Sequence, residues 1–297
     1  MRRRTFLKNL TVDLHIHSTF SDGAFTPEEI VKHASRTGLA AVAITDHDNT
    51  DATLPAIKAG KKLGVEVVPG VELSVEPESP KDEEIHILGY YIDWQDDNFQ
   101  EKLLHFREAR RKRAYKILEK LDRLGVKIDP QQLFDLAGKG SVGRMHVAKV
   151  LKDEGFVDYL QEAFDRYLAY GKPAYVPKLR LPSQEAINLI SRLGGISVIA
   201  HPLYGGNSKE IIQKLKGLGL EGIEVYYTNH SPDDIKRFQS WANAFSLLIT
   251  GGSDCHGTTL DEEVLIGNQG VSYDVLIQLK EYRKTKLEKP LTEEGHT

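Results

Sequence analysis

The sequence predicts an α/β chain whose strands pair in parallel, as an open sheet or a barrel, with a helical insertion between its fourth and fifth strands. Seven short β-branched or apolar runs, at 10–17, 39–45, 65–71, 84–91, 196–200, 222–227 and 247–252, alternate with segments of helical periodicity. Alternating βα units of this kind pair their strands in parallel. About a hundred residues separate the fourth run from the fifth without a convincing strand. We therefore read 99–182 as an inserted helical subdomain, with 1–98 and 183–297 forming one discontinuous domain.

The helices announce their ends. Thr26 is the expected N-cap, and Pro27 the first turn, of a helix over 27–36; 51–63 stops at Gly64 and 183–193 at Gly194. Further helices are expected over 208–218 and 232–245. In the insertion the longest helix, over 99–124 ahead of Gly125, puts Phe106, Arg110, Arg113 and Ile117 on one face. Arginines in an apolar stripe either lay their stems over an interface or contact phosphate. The last residues, 287–297, are expected to fray.

A chain of 297 residues, 40% hydrophobic and 28% charged, suffices for one barrel or two ordinary domains. No run approaches the roughly 18 apolar residues of a spanning helix. The single cysteine, Cys255, excludes an intramolecular disulfide framework and suits a reducing, cytoplasmic compartment. Arg2-Arg3-Arg4 superficially matches a twin-arginine export signal, but the apolar segment such a signal needs does not follow. A net charge of -4 gives no global case for nucleic-acid binding, yet 101–127 carries ten lysines and arginines against four acids.

The first strand alternates so that Asp13, His15 and His17 share one side. A lone histidine there would be an ordinary core or surface residue; an i, i+2 pair at a strand's C-terminal end fits chelation of one cation. Asp22, in Ser21-Asp22-Gly23, would alone be an ordinary turn aspartate. The second strand ends Thr45-Asp46-His47-Asp48 and the third runs through Pro69-Gly70-Val71-Glu72. The fourth holds His86 between Ile85 and Ile87, where an imidazole is costly to bury without a partner. The fifth ends Ala200-His201-Pro202, and the last Gly251-Gly252-Ser253-Asp254-Cys255-His256, whose glycines allow close backbone approach. Because α/β folds gather ligands at the carboxyl ends of their strands, these scattered residues are expected to converge. Nitrogen and oxygen donors suit Zn, Mn or Fe.

The segments Asp13-Leu14-His15-Ile16-His17-Ser18, Thr45-Asp46-His47-Asp48, Gly70-Val71-Glu72, His86-Ile87-Leu88-Gly89, Ala200-His201-Pro202 and Gly252-Ser253-Asp254-Cys255-His256 resemble, in order, the polymerase-and-histidinol-phosphatase (PHP) family. The resemblance implies a distorted (β/α)7 barrel with an inserted α-helical subdomain, holding two or three divalent ions. His15, His17, Glu72 and Asp254 would surround one ion, with Glu72 bridging to a second held by His86 and His201. Asp22, His47 and His256 would hold a third; some members carry histidine where this chain has Asp22. Gly143-Arg144-Met145-His146 and Tyr175-Val176-Pro177-Lys178 are similar to the subgroup acting on nucleoside 3′,5′-bisphosphates and short RNA 5′ ends. Arg144, His146 and Lys178, with Arg110 and Arg113, are thus the expected substrate-binding set. Alternatively, Arg144 pairs on a helix surface and His146 packs against Val150.

The chemistry so implied is phosphate-ester hydrolysis by a metal-bridging hydroxide, without a serine or cysteine intermediate. Asp254 or His201 would supply the leaving oxygen's proton, while Cys255 points away from the ions by alternation. A nucleotide or short RNA is the expected partner, with no membrane and no stable protein partner. Three rivals remain: a histidinol-phosphate-type phosphatase, an amide or lactone hydrolase, and a catalytically inactive PHP-like binding module. The arginines argue against the first two and the complete donor set against the third.

Overall fold

The computed structural model describes residues 11–77, 85–257 and 263–288. The Arg2-Arg3-Arg4 segment and the expected strand starts at Leu10 and Glu84 lie outside them. Eight strands form one sheet: β1 (Thr11–Ile16), β2 (Ala41–Ile44), β3 (Glu66–Val75), β4 (Ile85–Tyr90), β5 (Ile196–Ile199), β6 (Gly222–Tyr227), β7 (Leu248–Gly252) and β8 (Val271–Ser272). Their order is β7-β6-β5-β4-β3-β2-β1-β8.

Parallel pairing holds for β1 with β2, β2 with β3, β5 with β6 and β6 with β7. It fails at β4, which runs antiparallel to both β3 and β5. The reason is chain length: β3 ends at Val75 and β4 begins at Ile85, whereas a parallel crossover needs a dozen or more residues. His86 therefore stands at the start of its strand, and that start lies at the end of the barrel where the parallel strands finish. The two-residue β8, antiparallel to β1, is too short to register in the sequence pattern.

The barrel nearly closes where β1 meets the end of β7. His17 N donates to Cys255 O at 3.0 Å and Asp254 N to His15 O at 2.8 Å. Gly252 makes this approach possible, because a Cβ there would lie 2.4 Å from His15 N and 2.5 Å from His15 Cβ. Asp13 reinforces the seam by accepting from Ser253 N at 2.9 Å and Gly267 N at 2.8 Å.

The barrel helices are α1 (Pro27–Thr37) and α2 (Thr53–Leu63), with α3 (Asp97–Arg123) leading into the insertion. Thr26 caps α1 as expected: its hydroxyl accepts from Glu29 N, and the Glu29 carboxylate accepts from Thr26 N. The insertion continues with α4 (Pro130–Ala137), α5 (Arg144–Asp153), α6 (Leu160–Ala163) and a π-helical turn, Phe164–Leu168. The barrel resumes with α7 (Ser183–Arg192), α8 (Lys209–Gly217), α9 (Pro232–Ala244) and α10 (Tyr273–Glu288). The expected fraying from 287 is corrected in part, since α10 runs through Glu288; 289–297 lie outside the described residues.

The two halves of α3 belong to different cores. Phe99, Leu103 and Phe106 pack into the barrel cluster with Leu181 and Ile187. Ile117 and Leu121 join Leu133, Val147, Leu151 and Leu168 in a cluster made of insertion residues. That second cluster spans residues 114–176, and α3 is the beam it shares with the barrel.

Gly252→Ala is expected to force β7 off β1, costing at or above the upper end of the roughly 1–3 kcal/mol typical of overpacking. Chemical denaturation measures it; a midpoint like that of wild type would show that the seam tolerates a methyl group.

Candidate metal centre

Glu72, fully buried on β3, is the meeting point of the site. Its Oε1 lies 2.8 Å from His86 Nδ1 and 3.1 Å from His201 Nε2, and those two nitrogens are 3.3 Å apart. Its Oε2 lies 3.2 Å from His17 Nε2, 3.6 Å from His15 Nε2 and 2.9 Å from His47 Nδ1. Asp254 Oδ1 closes the second group, 3.0 Å from His17 Nε2 and 3.3 Å from His15 Nε2. A third group joins His17, His47, Asp22 and His256, with Asp22 Oδ1 3.3 Å from His256 Nε2. All nine residues expected as ligands thus converge, and one carboxylate divides its two oxygens between two groups.

This donor set fits cations better than it fits itself. Asp22 Oδ1, His47 Nδ1, Glu72 Oε2, His201 Nδ1 and Asp254 Oδ1 are buried without a hydrogen bond. Several stand within ion-pair distance of one another but off the line of a hydrogen bond. Buried polar atoms left so are rare unless another ligand completes them. Every donor is nitrogen or oxygen, as a divalent ion of borderline or hard character requires.

Backbone strain gathers here as well. His201, Asp254 and Asp48 are held at φ 26°, 52° and 49°, a region non-glycine residues seldom adopt and one that clusters at functional sites.

The insertion faces the same donors. Arg110, Arg113, Arg144 and Lys178 line a cavity of about 110 Å³ together with His47 and His86. Arg110 spends part of its guanidinium on Asp48, with Nε to Oδ2 at 2.9 Å. Arg113 Nε donates to Val176 O at 2.8 Å, and burial lowers its pKa to about 9. Arg144 lies 5.9 Å from the Phe164 and Tyr175 ring centres. Lys178 Nζ is 3.1 Å from His86 Nε2, and burial lowers its pKa to about 8. His146 is not in the lining: its buried Nδ1 accepts from Gly143 N at 3.0 Å, which caps α5. His146 thus serves as the cap of α5.

Two functional side chains were missed by the sequence reading. Glu224, buried on β6, lies 3.0 Å from His15 Nδ1 and accepts from His201 N at 2.7 Å; such a carboxylate fixes the tautomer and orientation of a ligating imidazole. Its signal was a glutamate inside the apolar run Gly222–Tyr227. Tyr227 OH donates to Asp254 Oδ2 at 3.1 Å, for which the sequence held no signal.

Comparison with known proteins agrees with this geometry. Residues 13–176 match the model of the PHP domain. The chain is 34% identical over 254 residues to a 3′,5′-nucleoside bisphosphate phosphatase of Chromobacterium violaceum, covering 82% of this chain and 87% of that one. It is 35% identical over 248 residues to a 5′-3′ exoribonuclease of Haemophilus influenzae, covering 82% and 89%. A solved structure from Bifidobacterium adolescentis, described as a metal-dependent phosphoesterase, superposes with TM-score 0.83 at 27% identity, covering 91% and 96%.

The cluster's electrostatics set a proton inventory for the protein before metal binds. Burial alone would lower His17, but the carboxylates of Asp254 and Glu72 outweigh it and push it up to about 10. His15 is raised in the same way, by Asp254, Glu224 and Glu72 against burial. Burial holds His47 down at about 3. Near neutral pH, then, His15 and His17 carry protons that a cation must displace. Loading with manganese at about pH 8 is expected to release at least one proton, and apparent affinity to rise with pH until His17 titrates. Calorimetry in buffers of different ionisation enthalpy counts the protons; zero release would remove His15 and His17 from the ligand set.

Proposed function

Because the chain belongs to the PHP family of metal-dependent phosphoesterases, we propose that it hydrolyses phosphate esters of nucleotides, as a nucleoside 3′,5′-bisphosphate phosphatase, a 5′-3′ exoribonuclease on short RNA, or both. The observation that carries this reading is the contact between two features. The Glu72-centred donor cluster opens directly onto a cavity lined by Arg110, Arg113, Arg144 and Lys178. A small monoester needs a place for one phosphate, whereas this site offers a second set of cationic donors beside the first.

His15, His17, Glu72 and Asp254 would hold one ion, Glu72 with His86 and His201 a second, and Asp22, His47 and His256 a third. Mn, Fe or Zn bound there would lower the pKa of a water and offset charge developing on the phosphoryl oxygens. Glu224 holds the His15 ring and the His201 backbone in place. Tyr227 orients Asp254, and Asp254 or His201 would carry the proton to the leaving oxygen. Arg113, Arg144 and Lys178 would bind the second phosphate, and Arg110 would do so with the donors that Asp48 leaves free.

A bisphosphatase and a 5′-3′ exonuclease become one reaction if the phosphate attacked is the 3′-linked phosphate of the terminal nucleoside. Its 5′-phosphate then lies among the arginines. No described helix is long and apolar enough to cross a membrane; a cytoplasmic setting is part of the proposal and rests on the single cysteine.

The decisive test is a hydrolysis screen with manganese on nucleoside 3′,5′-bisphosphates, 5′-phosphorylated RNA oligomers and histidinol phosphate. Preference for histidinol phosphate would favour the small-ester rival, and no turnover with no retained metal would favour an inactive module.

Glu72→Ala is expected to abolish turnover more completely than Asp22→Ala, since Glu72 serves two donor groups and Asp22 one. Equal losses, with metal content measured beside rate, would count against a bridging carboxylate.

Arg144→Ala is expected to cost about 1–3 kcal/mol in kcat/KM on a nucleotide while largely sparing p-nitrophenyl phosphate. Arg110→Ala is a different experiment. It leaves buried Asp48 without its partner, so the expected loss is in stability, about 3–5 kcal/mol by denaturation.

A further inference from the structure

The donor cluster opens into two chambers, and the proposed function uses only the arginine-lined one for recognition. The other, about 290 Å³, is lined by six of the donors, His201, Asp254 and His256 among them, with Tyr204 and Tyr227, and among the described residues no lysine or arginine lines it. Beyond the donors themselves its wall offers aromatic surface, and the more exposed ring is Tyr204.

Tyr204 is 52% exposed although it sits beside buried site residues. It is also held in place. Its ring centre is 6.0 Å from His201 and 6.1 Å from Tyr227, edge-on to both. Its hydroxyl accepts from Asn229 Nδ2 at 3.1 Å. A large ring fixed at the mouth of a chamber, with half its surface open, is suited to a second flat ring.

We propose that Tyr204 is the stacking platform for the base of the second nucleotide of an RNA substrate, the one downstream of the phosphate attacked. This rests on the nucleotide reading above. With the 5′-phosphate among the arginines and the 3′-linked phosphate at Glu72, the terminal nucleotide lies between those two points. A longer chain continues from the reacting phosphate into the other chamber, where Tyr204 is the exposed ring. A bisphosphate ends at that phosphate and leaves the second chamber empty of base. Stacking suits this position, because every base has a π-face and an exonuclease must accept each in turn.

The test is a cycle between enzyme and substrate. Wild type, Tyr204→Phe and Tyr204→Ala, loaded with manganese, are assayed on a 5′-phosphorylated dinucleotide and on the same molecule abasic at its second residue. A nucleoside 3′,5′-bisphosphate is the reference. In wild type, removal of the second base is expected to cost roughly tenfold in kcat/KM, mostly through KM. Tyr204→Phe should keep that penalty, and Tyr204→Ala should reduce it to about one. The assignment is overturned if Tyr204→Ala keeps the wild-type penalty or if wild type shows none. It is equally overturned if Tyr204→Ala loses as much on the bisphosphate as on the dinucleotide. A wild type that turns over no nucleotide substrate would instead sink the nucleotide reading, and this inference with it.

Discussion

A carboxylate sealed from water and faced by five imidazoles organises this molecule. Glu72 has His15, His17, His47, His86 and His201 within 3.6 Å of its oxygens. A buried ionised group without compensation costs several kcal/mol, and the imidazoles that compensate it come from four parts of the chain. The histidines come from the end of β1, from the loop beyond β2, from the start of β4 and from just beyond β5. Burying Glu72 therefore requires the whole barrel to be assembled, and the fold and the site become one problem.

The strand directions serve that requirement. Parallel strands deliver side chains as they leave one end of the barrel. The antiparallel β4 delivers His86 to the same end because it enters there. Closure of β1 against β7, which Gly252 permits, brings His15 and His17 to Asp254. The positive φ values at His201 and Asp254 are what this convergence costs the backbone, and the packed seam around them over-determines the conformation.

The insertion packs on the barrel through α3, with further bonds from Ser141 N to Phe20 O and from Lys149 Nζ to Asp22 O. One half of that helix packs in each core, and between them Arg110 reaches back to Asp48 at the end of β2. Much of the positive charge on α3 is committed in this way. Arg107 pairs with Asp51, Lys102 with Glu185, and Lys120 donates to Tyr175 O. The segment's net charge of +6 therefore divides: Lys102, Arg107, Arg110 and Lys120 are struts, Arg113 is buried beside the site, and Arg111, Lys112, Lys116, Arg123 and Lys127 are exposed.

Local signals in the sequence settled most of what is local in the structure. The Thr26 cap, the glycine stops and the strand runs depend on neighbours in the chain, and they appear where the pattern puts them. The nine convergent residues were also legible, because ligand types recur at strand ends and strand ends meet in such folds. Strand direction at β4 was set by the short link before it, a constraint that apolar patterning does not express. His146 looked like a substrate contact and became a helix cap, because only the packing of α5 decides which way its ring turns. Glu224 and Tyr227 acquired their roles from partners more than twenty residues away. Those partners become neighbours only when β6 lies beside β5 and β7, so tertiary structure alone could assign them.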